Sequence, residues 1–335
     1  MARLKSSSGG LMVAAVKESC MSVKAQFPAE QSAAGDFQRQ GDAFGQRVSS
    51  QEGALFPVVS KRYHLYVSLA CPWAHRTIIV RALQGLDDAI GMTVVDPIRN
   101  DEDGWTFREG RGHSIDPING FAYLRDAYLA TDPSYRGRVT VPVLWDTQTH
   151  RIVSNNDDDI MRMFETNFAS LAKHPREFYP AEHRAEIEAL NATIYRDVNN
   201  GVYRAGFASN QAAYEPPVRR LFERLDELDA RLATRRYLFG AMPLETDWRL
   251  FVTLVRFDAV YVGHFKCNLR RIADYPNLSG YLRDLYQIDG VAATVDFDHI
   301  KRHYYATHDE INPTRIVPLG PILDLDAPHG RDRLG

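Results

Sequence analysis

The strand-like run Tyr63-His64-Leu65-Tyr66-Val67-Ser68 passes through Leu69-Ala70 into Cys71-Pro72, which opens the apolar helical stretch beginning Trp73-Ala74-His75-Arg76. This junction constrains the fold more than any other stretch, because it fixes a strand, a tight connection and a helix start in sequence. Proline at the first helical position lacks an N–H that would have gone unpaired there, so Cys71 reads as the helix cap. Unpaired amides and the positive end of the helix dipole favour an anion at that point, and the anion at hand is the Cys71 thiolate. The competing reading is a buried structural cysteine. Strand context and Pro72 count against it.

From about residue 62 the pattern is strand, helix, then a second strand at Gly91-Met92-Thr93-Val94-Val95-Asp96, a βαβ unit whose strands should run parallel. Ile78, Ile79, Ala82 and Leu83 give the helix between them a face suited to a sheet. Residues 97–121, with several Gly and Pro, predict a long surface loop, in which Trp105 stands out. A helix over 123–131 is closed by Pro133, and a strand follows at Val141-Pro142-Val143-Leu144-Trp145. Proline suits such a strand only at its first residue or after a cis bond, and we read Val141-Pro142 as cis. A hairpin across residues 146–150 leads to Arg151-Ile152-Val153, and a helix from near Asn156 completes a βαβ–ββα order. That order, with a Cys-Pro helix start and a proline opening the third strand, is thioredoxin-like.

Beyond about residue 175 no strand pattern remains. Helical periodicity covers 181–200, 214–235, 246–264 and 278–287, with Val218, Leu221, Leu225, Leu228 and Leu232 forming one stripe. The run 250–257 is apolar on most sides and should be a central helix. The predicted layout is an extended N-terminal arm (1–60) pinned by Phe37, Phe44, Leu55 and Phe56, an α/β thioredoxin-like domain (61–170), an all-α domain (175–308) and a surface tail (309–335).

A length of 335 residues suits two domains. A net charge of −3 gives no footprint for nucleic acid or an anionic membrane. Cys20, Cys71 and Cys267 are too few and too scattered for a disulfide framework or a zinc site, which fits the cytoplasm. The apolar run at 11–16 is shorter than a signal segment and meets Lys17-Glu18 at once, so export is not expected. No stretch approaches the length of a membrane-spanning helix.

A thioredoxin-like half followed by a helical half resembles the cytosolic glutathione transferases, and local motifs are more specific. Cys71-Pro72-Trp73-Ala74-His75-Arg76-Thr77, Gly104-Trp105, the run from Gly137 to Trp145, Asn199-Asn200-Gly201-Val202-Tyr203, the block from Arg256 to Asn268 and the run from Asp296 to Tyr305 are similar to the Xi class, the glutathionyl-hydroquinone reductases. The block around Tyr261 points most directly to that class. The resemblance covers residues from about 62 to 320. It implies a thioredoxin-like domain with an all-helical glutathione transferase C-terminal domain, a homodimer, glutathione as co-substrate and no metal. It further implies that Cys71 attacks the sulfur of a glutathionyl-hydroquinone, that Tyr203 gives or takes the proton on the aromatic substrate, and that Tyr261 and Tyr304 lower the pKa of Cys71. Trp105, Arg138, Val139, Thr140 and Val141 would hold glutathione, with Arg138 on its carboxylate.

Read as residues alone, several of these stay open. Tyr261 lies in an apolar helix and is equally a core residue by pattern. Tyr203 sits at an expected break in helix, while adjacent Tyr304 and Tyr305 are not separable without the resemblance. Arg138 beside Arg136 reads also as a solvated pair, and His75 and His299 as structural. An omega-like thiol transferase or dehydroascorbate reductase would need Cys71 but not three tyrosines, and a noncatalytic binding protein on the same fold would need neither. One departure stands out: where the family usually carries Glu-Ser for the γ-glutamyl amine and carboxylate of glutathione, this chain has Asn156-Asp157, followed by Asp158-Asp159. Asn156 can cap the helix and Asp157 can meet the ammonium, but the added negative charge predicts weaker glutathione binding.

Overall fold

The computed structural model of the chain describes residues 28–100 and 102–334; the run at 11–16 and Cys20 lie outside the described residues. Strands β1 (Tyr63–Val67), β2 (Ile90–Val94), β3 (Val143–Asp146) and β4 (Arg151–Ser154) form one sheet in the order β2-β1-β3-β4. β1 runs parallel to β2 with Tyr63 opposite Ile90, and antiparallel to β3 with Tyr63 opposite Asp146. β3 and β4 form the hairpin, so the expected βαβ–ββα order is the observed one. The Val141-Pro142 bond is cis and precedes β3, so proline never enters the ladder.

Helix α1 (Pro72–Leu83) is buried at every position from Ala74 to Arg81, polar residues included. The reason is its place. It contacts both α3 (Asp157–Arg162), which follows β4, and α7 (Glu245–Arg256), which belongs to the helical half. α7 is buried from end to end, as the apolar run predicts for a central helix. Asp247 inside it accepts hydrogen bonds from the Leu238 and Leu244 amides at 2.9 and 2.8 Å and from the Tyr281 hydroxyl at 2.7 Å. Burial pushes its carboxyl up to about 6. The remaining helices are α2 (Leu124–Thr131), α4 (Arg184–Ile194), α5 (Gly201–Gly206), α6 (Gln211–Leu232), α8 (Leu278–Tyr286) and α9 (Phe297–Thr307). Among the described residues, no helix is long and apolar enough to cross a membrane.

Four expectations need correction. The break expected near Asn199-Asn200-Gly201 is a π-helical turn over Tyr195–Asn199 that leads into α5, with Asn200 keeping helical angles. A second such turn, Phe257–Tyr261, ends α7; the extra residue per turn re-aims the side chains that follow. The segment 97–121 is no mere surface loop, because Trp105 and Phe107 are buried in the core. Leu55 does not pin the arm, being 58% exposed, whereas Phe37 and Phe56 are buried and Phe44 packs beside them. Nor is the tail wholly superficial: the buried Arg331 donates to the carbonyls of Leu232 and Arg236.

The arm is integral to the fold. Its Gln46 amide donates to the Val153 carbonyl at 2.9 Å and its Phe44 carbonyl accepts from the Asn155 amide at 3.1 Å, covering the outer edge of β4. Further back, Ser209 and Asn210 donate to the carbonyls of Gly35 and Ala34. Gly35 adopts φ +91°, and a Cβ there would stand 2.3 Å from Asn210 Nδ2. The backbone can pass so close to the start of α6 only as glycine.

Candidate active site

Between the two halves lies a cleft of about 510 Å³ lined by Cys71, Tyr203, Tyr304, Trp105, Arg138, Val139, Thr140, Val141, Asn156 and Asp157. Of the residues that the family resemblance assigns to the site, only Tyr261 stays off its wall. It is fully buried behind Tyr304, and the Tyr304 hydroxyl meets that of Tyr261 at 3.0 Å and that of Tyr203 at 2.6 Å. Three phenols therefore share one hydrogen-bonded row that ends at the cleft. Burial raises all three above the ordinary tyrosine value, so they stand as neutral donors; Tyr203 is also pulled down by Arg39 and pushed up by a charge on Cys71. Tyr305 is directed elsewhere, its hydroxyl donating to the Ala259 carbonyl.

Cys71 is the N-cap of α1 with Pro72 at the first helical position. Its Sγ makes no capping hydrogen bond and instead donates to the Val141 carbonyl at 3.6 Å. Burial pushes the thiol up; the Ala74 amide, the Arg256 guanidinium and the Trp73 amide pull it down. Helix-start amides and a cation thus favour the Cys71 thiolate. Arg256 closes α7 and is fully buried. It donates to the Leu69 and Ala70 carbonyls at 2.9 Å each and to the Val252 carbonyl, gripping the loop that delivers Cys71. It also meets His75 Nδ1 at 2.9 Å, and since arginine only donates, His75 is the tautomer whose Nε2 carries the proton, directed at Thr294 Oγ1 2.8 Å away. Burial first, and the Arg256 charge second, hold His75 neutral. His299 likewise plays a structural part, donating to the Arg111 carbonyl at 2.6 Å.

The binding half of the cleft differs from expectation at two points. Asp157 does not present a spare carboxylate: Arg76 holds it at 2.8 Å, while burial and the neighbouring Asp158 charge push its carboxyl up. Arg138 is met by Glu30 of the arm at 2.5 Å. Asn156 is the expected helix cap, its Oδ1 accepting from the Asp159 amide at 2.8 Å. Trp105 stacks on His303, with ring centres 5.1 Å apart.

Sequence reading missed the arm's contribution. Glu30, Phe37, Arg39 and Asp42 all line the cleft. The Arg39 guanidinium lies 4.7 Å from the Tyr203 ring centre and 4.8 Å from that of Trp73. A segment without periodicity carries no signal for such contacts. Arg256 was within reach, since a charge in an otherwise apolar helix needs a reason.

The match to known proteins is extensive. Residues 70–167 match the family model described as glutathione S-transferase, N-terminal domain, and residues 211–284 that described as glutathione S-transferase, C-terminal domain. The chain is 50% identical over 309 residues to the glutathionyl-hydroquinone reductase YqjG of Escherichia coli (strain K12), covering 90% of this chain and 94% of that one. A Xi class GST from Natrialba magadii superposes with a TM-score of 0.85 at 49% identity, covering 87% of this chain and 89% of that one. The glutathione-bound structure of YqjG, a glutathione transferase homolog from Escherichia coli K-12, gives 0.83 at 49% identity over 86% of this chain and 96% of its own. The chain belongs to the glutathione transferases and, within them, to the Xi-class family of glutathionyl-hydroquinone reductases.

Proposed function

We propose that the protein reduces glutathionyl-hydroquinones to hydroquinones with glutathione as the reductant. The observation that carries this reading is the placement of the Cys71 thiol and the Tyr203–Tyr304 hydroxyl pair in one cleft. The Cys71 thiolate attacks the sulfur of the substrate, the carbon–sulfur electron pair passes to the ring, and the ring carbon takes up a proton. Tyr203 supplies that proton or hands it on through Tyr304. Hydroquinone leaves, and Cys71 holds glutathione as a mixed disulfide. A second glutathione, as thiolate, attacks that disulfide and departs as oxidised glutathione, restoring the Cys71 thiolate. Atoms balance: one glutathionyl-hydroquinone and one glutathione give one hydroquinone and one glutathione disulfide.

Trp105, Arg138, Val139, Thr140, Val141, Asn156 and Asp157 form the glutathione subsite in this reading, Asn156 and Asp157 mainly through their backbone. For Arg138 to take the glutathione carboxylate, its Glu30 partner must yield. We divide the chain into the arm, the thioredoxin-like domain, the helical domain and the tail at 60, 170–175 and 308, and take the protein to be a cytoplasmic homodimer, on the family likeness. The test is a panel of glutathionyl-hydroquinones with mass spectrometry of Cys71. Wild type should release hydroquinone and accumulate one glutathione on Cys71 when free glutathione is withheld, and Cys71→Ser should do neither. Hydroquinone release by Cys71→Ser at the wild-type rate would sink the mechanism.

A further inference from the structure

Among the described residues, the carboxylates lining the cleft belong to Glu30, Asp42, Asp157, Asp158 and Glu188. All but Asp42 are engaged by arginine. Glu30 is held by Arg138 at 2.5 Å, Asp157 by Arg76 at 2.8 Å and Glu188 by Arg162 at 2.7 Å, while Asp158 bridges Arg76 and Arg249. Asp42 has no ion-pair partner among the described residues. Arg138 and Arg39 act on it only from a distance, and Arg138 is already balanced by Glu30.

The Asp42 carboxylate is nevertheless aimed. Its Oδ2 accepts from Asn156 Nδ2 at 2.9 Å, and the other end of that amide is fixed by the Asp159 amide at 2.8 Å. The arm around it is anchored on both sides, by Glu30 on Arg138 and by the Phe44 amide, which donates to Asn155 Oδ1 at 2.8 Å. Asn156 is neutral, and the Asp42 carboxylate stands one hydrogen bond beyond it.

We propose that Asp42, delivered by the N-terminal arm, receives the α-ammonium of glutathione. The proposal rests on the cleft being a glutathione site. An ammonium there meets the one lining carboxylate that, among the described residues, has no arginine ion pair. Asp157, the acid expected from sequence to do this, is turned to Arg76 instead.

The test compares S-methylglutathione with its desamino counterpart, in which the γ-glutamyl α-amino group is replaced by hydrogen, by calorimetric titration of the full-length protein. Wild type should bind S-methylglutathione roughly tenfold more tightly than the desamino form, the value of one charge-assisted contact. Asp42→Asn should bring the two to within about twofold, by weakening S-methylglutathione alone. Equal affinities in wild type, an unchanged ratio in Asp42→Asn, or a parallel loss of both ligands in that variant would each overturn the assignment. Wild type that binds neither compound would overturn the glutathione site itself, so the two failures are distinguishable.

Discussion

Tyr203, at 8% exposure, is the least buried member of the phenol row, and its ring and its hydroxyl have separable duties. The ring packs on Phe207 and Phe37 and stays in place when only oxygen is removed. Tyr203→Phe should therefore lower hydroquinone release by about a hundredfold, the usual scale for losing a positioned proton donor, while exchange of Cys71 with a small linear disulfide changes less than about twofold. Parallel losses in the two assays would refute a proton role. Part of this row was legible in the sequence. Tyr203 was marked by an expected helix break that is a π-turn instead, and Tyr304 was set apart from Tyr305 only by the family resemblance; the two hydroxyls have different partners. Tyr261 resolves an either-or: it is a core residue at 0% exposure and also the far end of the row. Asp42 and Arg39 were not legible, because what they do depends on where an aperiodic arm lies down.

Docking of α1 against α7 joins the two halves at the Cys71 thiol. Arg256 sits at that contact with three backbone carbonyls and His75 as partners and, among the described residues, no carboxylate in ion-pair range. Its charge is thus left to act on Cys71. Removing it disfavours the thiolate, so the midpoint of Cys71 alkylation by iodoacetamide should move to higher pH in Arg256→Met. We expect a shift of about one pH unit, or roughly tenfold slower alkylation at neutral pH, with Arg256→Lys in between. The orphaned carbonyls also cost stability, about 3 kcal/mol in all in Arg256→Met and less in Arg256→Lys, whose ammonium still donates. A lower melting temperature with an unmoved alkylation profile would reduce Arg256 to a purely structural bolt. Elements of this kind were readable where apolar runs ended on Gly, Pro or a cap. They were not readable where one residue is added within a helix, as at Phe257–Tyr261, since a π-turn leaves the surrounding periodicity almost unchanged. α9 hid its buried stripe of His299, Ile300, His303 and Tyr304 behind two histidines that read as polar.

At the scale of the whole molecule, the two-part layout follows from a change of hydrophobic period, from strand-and-helix alternation to helix alone. The arm follows from nothing of the sort. It crosses both halves: Phe44 and Gln46 lie along β4, and Phe37 inserts beside Phe207 at 5.3 Å and Tyr203 at 6.3 Å in the helical half. An arm held at several points can open locally before the sheet or α7 unfolds, although Phe37, Val48 and Phe56 join their core. Phe37→Ala removes the buried aromatic anchor that meets the helical half, at 4% exposure, and should cost about 3 kcal/mol, most of it as easier opening of the arm. Limited proteolysis within residues 28–60 should then accelerate by more than about tenfold, with S-methylglutathione binding weakened in step and the main melting transition displaced only slightly. Leu65→Ala, in the central strand at 0% exposure, is the control: it should lower the melting temperature without selective cleavage of the arm. If Phe37→Ala instead lowered the melting temperature as Leu65→Ala does and left the arm uncut, the arm would be part of the cooperative core, and its carboxylates would reach the cleft as fixed walls rather than as a movable edge.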